Sequence, residues 1–140
     1  MTFPATRAET VTRDSLAHLF SLIGKKGRFI YAHKADDPAQ ATEGYNMLRH
    51  CGTLWFMLRA IRELDIGLTA AQGKQLSAAI GYAGGKMDRP AWLPDPAFAL
   101  VTKGMVKTGG IGLSLVMLLA WRDLAASRSL PSPALPANLD

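Results

Sequence analysis

At 140 residues, with 49% apolar and 19% charged side chains, the chain has the size of one domain and is too apolar to be an extended, solvated polymer. Its formal charge of +5 is scattered, the densest group being Lys25, Lys26 and Arg28, and this scatter disfavours nucleic-acid binding through a basic stripe. One cysteine, Cys51, excludes an intramolecular disulfide; its apolar neighbours predict a buried thiol in a reducing compartment.

The first residues, MTFPATRAETVTRD, carry polar and charged side chains where an export signal needs an apolar run, so a cytoplasmic protein is expected. Thr12 or Asp14 is positioned to cap a first helix with Leu16, Leu19, Phe20 and Ile23 on one face and a stop at Gly24. Glycines then bracket Arg28-Phe29-Ile30-Tyr31, a run suited to an extended segment, and Asp36-Asp37-Pro38 predicts a turn.

From Glu43 to Asp65 the spacing predicts a helix apolar over most of its circumference, and therefore a buried one. Gly52 inside it costs about 1 kcal/mol relative to alanine, which close approach of another helix or of a ligand would explain. Thr69 predicts the N-cap of a glycine-rich helix reaching Met87, whose small residues permit close helix contact. RPAWLPDP holds too much proline for regular structure, and FALVTKGMVK reads as a hairpin turning at Thr102-Lys103-Gly104. The stretch Gly109 to Trp121 falls short of the roughly 20 residues of a membrane span and predicts a core helix. The expectation is a mainly α fold: one helical domain over residues 1–127 and a Pro-rich tail, 128–140, that is disordered or extended.

Two segments, GRFIYAHKADDPAQATEGYNMLRHCGTLWFML and FALVTKGMVKTGGIGLSLVMLLAW, each join an extended stretch to a glycine-containing apolar helix, as two copies of one unit would. Together they resemble helical hairpins of the (α/α) toroids, the architecture of six-hairpin glycosidases and glucuronyl C5-epimerase-like carbohydrate-active proteins. The resemblance implies a partial toroid with short extended or β-hairpin segments, and a link to bacterial polysaccharide metabolism. A closed toroid takes about twelve helices and this chain offers about four, so a homo-oligomer or a larger protein partner is expected to cover the open face.

Candidate chemistry centres on Tyr45, Asn46, Arg49, His50 and Thr53, where spacings of three and four place Asn46, Arg49, His50 and Thr53 on one helical sector. Two roles are open to this stripe. It lines a cavity in which Arg49 binds a carboxylate or phosphate and His50 exchanges a proton, or Arg49 and His50 satisfy backbone carbonyls of the neighbouring extended segment. Tyr31 and His33 alternate along that segment and so share a face, where they serve either as a sugar-stacking surface or as core. Trp92 in the proline-rich loop is a second platform, or a side chain packed on a helix pair.

Asp36, Asp37, Glu43, Asp65, Asp88, Asp95 and Asp123 all fall in loops or at predicted helix ends, and no pair announces itself as the acid and base of glycoside chemistry. His18, His33 and His50 are too dispersed for a zinc site, and neither a P-loop nor a dinucleotide-binding turn is present, so no metal or cofactor is expected. The sequence supports a non-catalytic or assembly-dependent helical subunit acting through self-association or a partner, with an acidic glycan as ligand. The alternative is a carbohydrate-active enzyme of hydrolase, lyase or epimerase type with its site around Arg49 and His50.

Overall fold

The computed structural model describes residues 5–32, 35–37 and 44–136. Its elements are α1 (Ala5–Ser21), α2 (Met47–Glu63), α3 (Ala70–Gly84), β1 (Met87–Asp88), β2 (Ala99–Thr102), β3 (Met105–Val106) and α4 (Thr108–Ser127). The fold is mainly helical with one small antiparallel sheet, and α2 lies at its centre, packed by α1, α3 and α4.

Helix α1 begins earlier than its capping residues predict. Thr12 lies inside the helix, where its hydroxyl donates to the Ala8 carbonyl at 2.9 Å, and Arg13 pairs with Glu9 one turn back. A threonine satisfied this way no longer signals a start, and the Ala, Arg and Glu residues before it propagate a helix. Leu16 and Phe20 are buried against α2 as the spacing predicts. After α1 the chain turns back at once, and an antiparallel bridge pairs Ile23 with Phe29. Gly27 makes this turn with φ +76°, and a Cβ there would collide with the Ala78 carbonyl of α3, so glycine is required on both counts.

Helix α2 starts later than expected. Asn46 adopts an extended conformation and its side chain accepts hydrogen bonds from the Leu48 and Arg49 amides, so Tyr45 and Asn46 precede the helix instead of lying on its surface. Leu54, Met57, Leu58 and Ile61 are fully buried, and Cys51 beside them is wholly inaccessible. Asp65 takes the left-handed conformation after the helix, and the Ile66 amide reaches back to the Ile61 carbonyl. Direction follows from contacts: Arg13 of α1 reaches the Leu64 carbonyl at the end of α2, while Phe29, just past α1, meets Tyr45 before its start. The two helices are therefore antiparallel.

Thr69 and Gln72 form a capping box at the start of α3. The helix stops at Gly84 instead of Met87, because Met87 enters β1 and pairs with Leu100 of β2. The predicted hairpin is present, with Val101 opposite Val106; Lys103 and Gly104 both have positive φ, as a two-residue turn of matching twist demands.

Helix α4 runs alongside α2 in the same direction. Gly109 meets Leu48, Gly52 meets Leu113 and Arg62 pairs with Asp123, each pair separated by the same 61 positions. At Gly52 the neighbour is at an ordinary 3.8 Å, whereas a Cβ on Gly109 would come within 3.3 Å of Leu48, so the tight approach uses the glycines of α4. The expectation that α4 is core all round needs correction: Gly110, Ser114, Met117, Trp121 and Leu124 are buried, but Ile111, Leu115, Val116 and Leu119 are exposed, Leu115 by 55%. The stretch expected to fall short of a membrane span belongs to a 20-residue helix that by length and composition is apolar enough to cross one, with 28% of its most apolar window buried.

Over its described residues the tail takes the extended form, one of the two expected of it. From Arg128 to Pro136 it is extended and runs along α3, with Leu130 and Leu135 packed on the core. Arg128 holds its start through Asp65 at 2.8 Å and the Ile66 carbonyl. The small residues of α3 face this segment: a Cβ on Gly84 would lie 2.9 Å from the Ala134 carbonyl oxygen, and one on Gly81 would lie 3.2 Å from the Ala134 nitrogen. The close partner of the glycine-rich helix is thus an extended chain, where another helix was expected.

Candidate functional site

The predicted site residues gather near the start of α2, but in two layers with different properties. The inner layer is a hydrogen-bonded chain. The Phe29 amide donates to the Tyr45 hydroxyl at 2.9 Å, and that hydroxyl lies 2.7 Å from Nδ1 of His50. On the other side of the ring, Nε2 lies 2.8 Å from the Ala79 carbonyl oxygen. A carbonyl can only accept, so Nε2 carries the proton and Nδ1 accepts from Tyr45. His50 is fully buried, and burial pushes its pKa down to about 4 against the opposing pull of the Ala79 carbonyl.

A neutral ring with both nitrogens occupied and no solvent access is a fastener joining the 28–31 segment, α2 and α3. Of the two roles open to His50, this geometry supports the carbonyl-satisfying one, though the carbonyl belongs to α3 instead of the extended segment. Phe29 and Tyr82 pack on the ring at 5.3 Å each, and Tyr31 stacks on Tyr45 at 4.8 Å while its hydroxyl donates to the Asn46 carbonyl. Burial above all raises the Tyr31 pKa, so it stays a neutral donor. Burial likewise raises that of Tyr45.

The remaining predicted residues part company. Asn46 spends its side chain on the helix cap. Arg49 is exposed and Thr53 half-buried, and the His50 ring nitrogens are taken by Tyr45 and the Ala79 carbonyl; the charge of Arg49 acts on Tyr31. Trp92 is 68% exposed in the proline-rich loop, apart from this cluster. His33 lies outside the described residues.

The outer layer was not read from the sequence. A cleft of about 350 Å³ opens where the N-termini of the parallel helices α2 and α4 come together, lined by Tyr45, Asn46, Tyr82, Lys86, Lys103 and Lys107. Its cations come from the end of α3, the hairpin turn and the residue before α4, three short segments that only the sheet brings together. Lys107 is the N-cap residue of α4 and offers no side-chain cap, so the positive end of the helix dipole adds to the three ammonium groups. Arg28 lies over the outer face of Tyr45 at 4.5 Å, and Lys86 over Tyr82 at 5.7 Å. Among the described residues, no carboxylate lines the cleft.

The one legible signal was the hairpin itself, since a tight turn at Lys103-Gly104 returns the chain with Lys107 at its foot. No protein-family model matches the chain, and neither the curated proteins nor the solved structures searched contain a significant match.

Proposed function

We propose that this chain is a non-catalytic helical binding module that takes an anionic saccharide in the cleft between the N-termini of α2 and α4. The observation that carries this reading is the lining itself: three lysines and an uncapped helix N-terminus beside two tyrosines, with no opposing carboxylate among the described residues. Ammonium groups and helix amides suit carboxylate or phosphate groups, and tyrosine faces suit the apolar face of a sugar ring.

Catalysis is the weaker reading on the same ground. Glycoside chemistry needs two carboxyl groups flanking the bond, roughly 5 to 9.5 Å apart, and the described residues of the lining supply neither. His50 is closed to proton exchange by its two hydrogen bonds. The parallel, in-register packing of α2 and α4 supports two successive hairpins of (α/α)-toroid type, and the connection to polysaccharide metabolism rests on that likeness. The exposed apolar face of α4 supports action through self-association or a larger partner.

The test is calorimetric titration with oligosaccharides of uronic acids, with neutral oligosaccharides of the same length and with inorganic phosphate. Binding of the acidic sugars, weakening with salt and about tenfold lower in Lys86→Ala and in Lys107→Ala, is the expected result. Equal affinity for neutral sugars would remove the charge argument, and phosphate binding as tightly as the oligosaccharide would remove the saccharide.

A further inference from the structure

Trp55 and Phe56 are the large apolar side chains that α2 leaves exposed, and α4 exposes Val116 and Leu119 beside them. These residues are contiguous. One cleft lies between α1 and α2, lined by Thr12 and Phe56, and a second follows the seam of α2 and α4, lined by Leu58, Val116 and Leu119; Trp55 and Arg59 stand on the ridge the two clefts share. The result is one face spread over three helices. No residue of the lysine cleft belongs to it.

The charges on this face identify its complement. Among the described residues its lining carries Arg59, Arg62, Glu63 and Asp123, two of each sign on a chain of net charge +5, and no lysine. Arginine beside tryptophan and phenylalanine, with lysine left out, is the composition of a protein interface. An anionic membrane surface selects an excess of basic residues, which the two carboxylates cancel here. A face of one sign needs a partner of the other, whereas a face with equal numbers of both is complementary to itself.

The order of groups along the seam narrows the arrangement. Because α2 and α4 run in the same direction at a constant offset, Trp55 stands level with Val116, and Arg62 with Asp123, where the two pair at 3.2 Å. The apolar band thus lies midway along the seam and the charged band at its C-terminal end. A two-fold axis along the seam sets α2 of each copy opposite α4 of the other at equal height, so that apolar band meets apolar band and the two Arg62–Asp123 pairs close an alternating ring of four charges. Docking end over end about the apolar band would leave those charges without opposite partners across the interface. The exposed parts of the lining side chains come to roughly 700 Å² per chain, close to the 800 Å² per partner of a standard interface.

We propose that a second copy of this chain docks on the seam of α2 and α4, forming a two-fold symmetric dimer in which Trp55, Val116 and Leu119 pack across the axis and Arg62 and Asp123 exchange ion pairs. This deepens the self-association part of the proposed function and rests on that part alone. Oligosaccharide titration tests the lysine cleft and oligomeric mass tests the seam, so the two readings fail separately.

Sedimentation equilibrium of the full chain is the experiment. The expected result is a monomer–dimer equilibrium with a Kd of roughly 1 to 100 µM. Leu119→Glu, at a position 39% exposed, should weaken the dimer at least about tenfold with the helical circular dichroism retained. Charge reversal leaves the apolar packing untouched. Arg59→Glu with Arg62→Glu makes the face wholly acidic, and Glu63→Arg with Asp123→Arg makes it wholly basic; the exposed ion pairs lost contribute little to the fold. Each reversed chain alone should dimerise at least about tenfold more weakly, and an equimolar mixture of the two should recover a heterodimer at least as tight as the native dimer.

A native chain that stays monomeric up to about 300 µM, a dimer indifferent to Leu119→Glu, or reversed chains that fail to pair when mixed would overturn the proposal. So would a monomer that binds vesicles of phosphatidylcholine and phosphatidylglycerol and loses them in Leu119→Glu, since a membrane would then be the occupant of this face.

Discussion

Helices α2 and α4 lie side by side, run the same way and are each apolar around most of their circumference, yet they end in different surroundings. α2 is packed by α1, α3 and α4 and buries eight of its residues, leaving Trp55 and Phe56 as its exposed large apolar side chains. α4 packs on α2 and the sheet and leaves Ile111, Leu115, Val116 and Leu119 in contact with solvent. The difference teaches that an apolar helical circumference states what a helix can bury, whereas the number of neighbours the chain supplies decides what it does bury.

The sharpest way to break this comparison is a pair of truncations. Leu54→Ala in α2 removes a fully buried side chain and should cost about 3 to 4 kcal/mol in denaturant unfolding, while Leu115→Ala in α4 should stay within about 0.5 kcal/mol. Equal costs would mean that the outward face of α4 is covered in solution.

The next test uses the polar fastener that α2 has and α4 lacks among its described residues. His50 is neutral in the fold with a pKa of about 4, against about 6.5 in the unfolded chain, so the unfolded state takes up the proton first as pH falls. Its contribution is fully present above pH 6.5 and is lost between pH 6.5 and 4, amounting to about 2 to 3 kcal/mol. Urea unfolding at pH 7 and pH 4 should show that loss in the native protein and lack this component in His50→Gln; a native curve flat with pH would place the ring in water.

The smallest effect concerns the tail. Gly84→Ala puts a Cβ against the Ala134 carbonyl and the Leu135 side chain, which should cost about 1 to 2 kcal/mol and expose residues 128–136 to limited proteolysis. If the tail stays protected, its seating does not depend on the glycine track.

Much of the helical framework was legible because α2 and α4 are long apolar runs, and Thr69 and the Lys103-Gly104 turn carry local chemistry that fixes a cap and a hairpin. The start of α1 was not, since Thr12 satisfies its hydroxyl inside a helix as readily as at a cap. β1 was hidden because two residues pair only with a strand that arrives later in the chain. The site divided on the same principle. His50 and Tyr45 were visible as polar residues in an apolar helix region, but Lys86, Lys103 and Lys107 each look like ordinary solvated lysines until the sheet gathers them.

Cys51 gives this chain an internal clock. It is the only thiol in the sequence, it has no access to solvent, and burial pushes its pKa up to about 12, so it is inert in the closed fold. Any labelling by a thiol reagent must pass through an opening of the central helix. The rate at which the label appears therefore counts openings of the native protein one molecule at a time, under native conditions and without an engineered reporter.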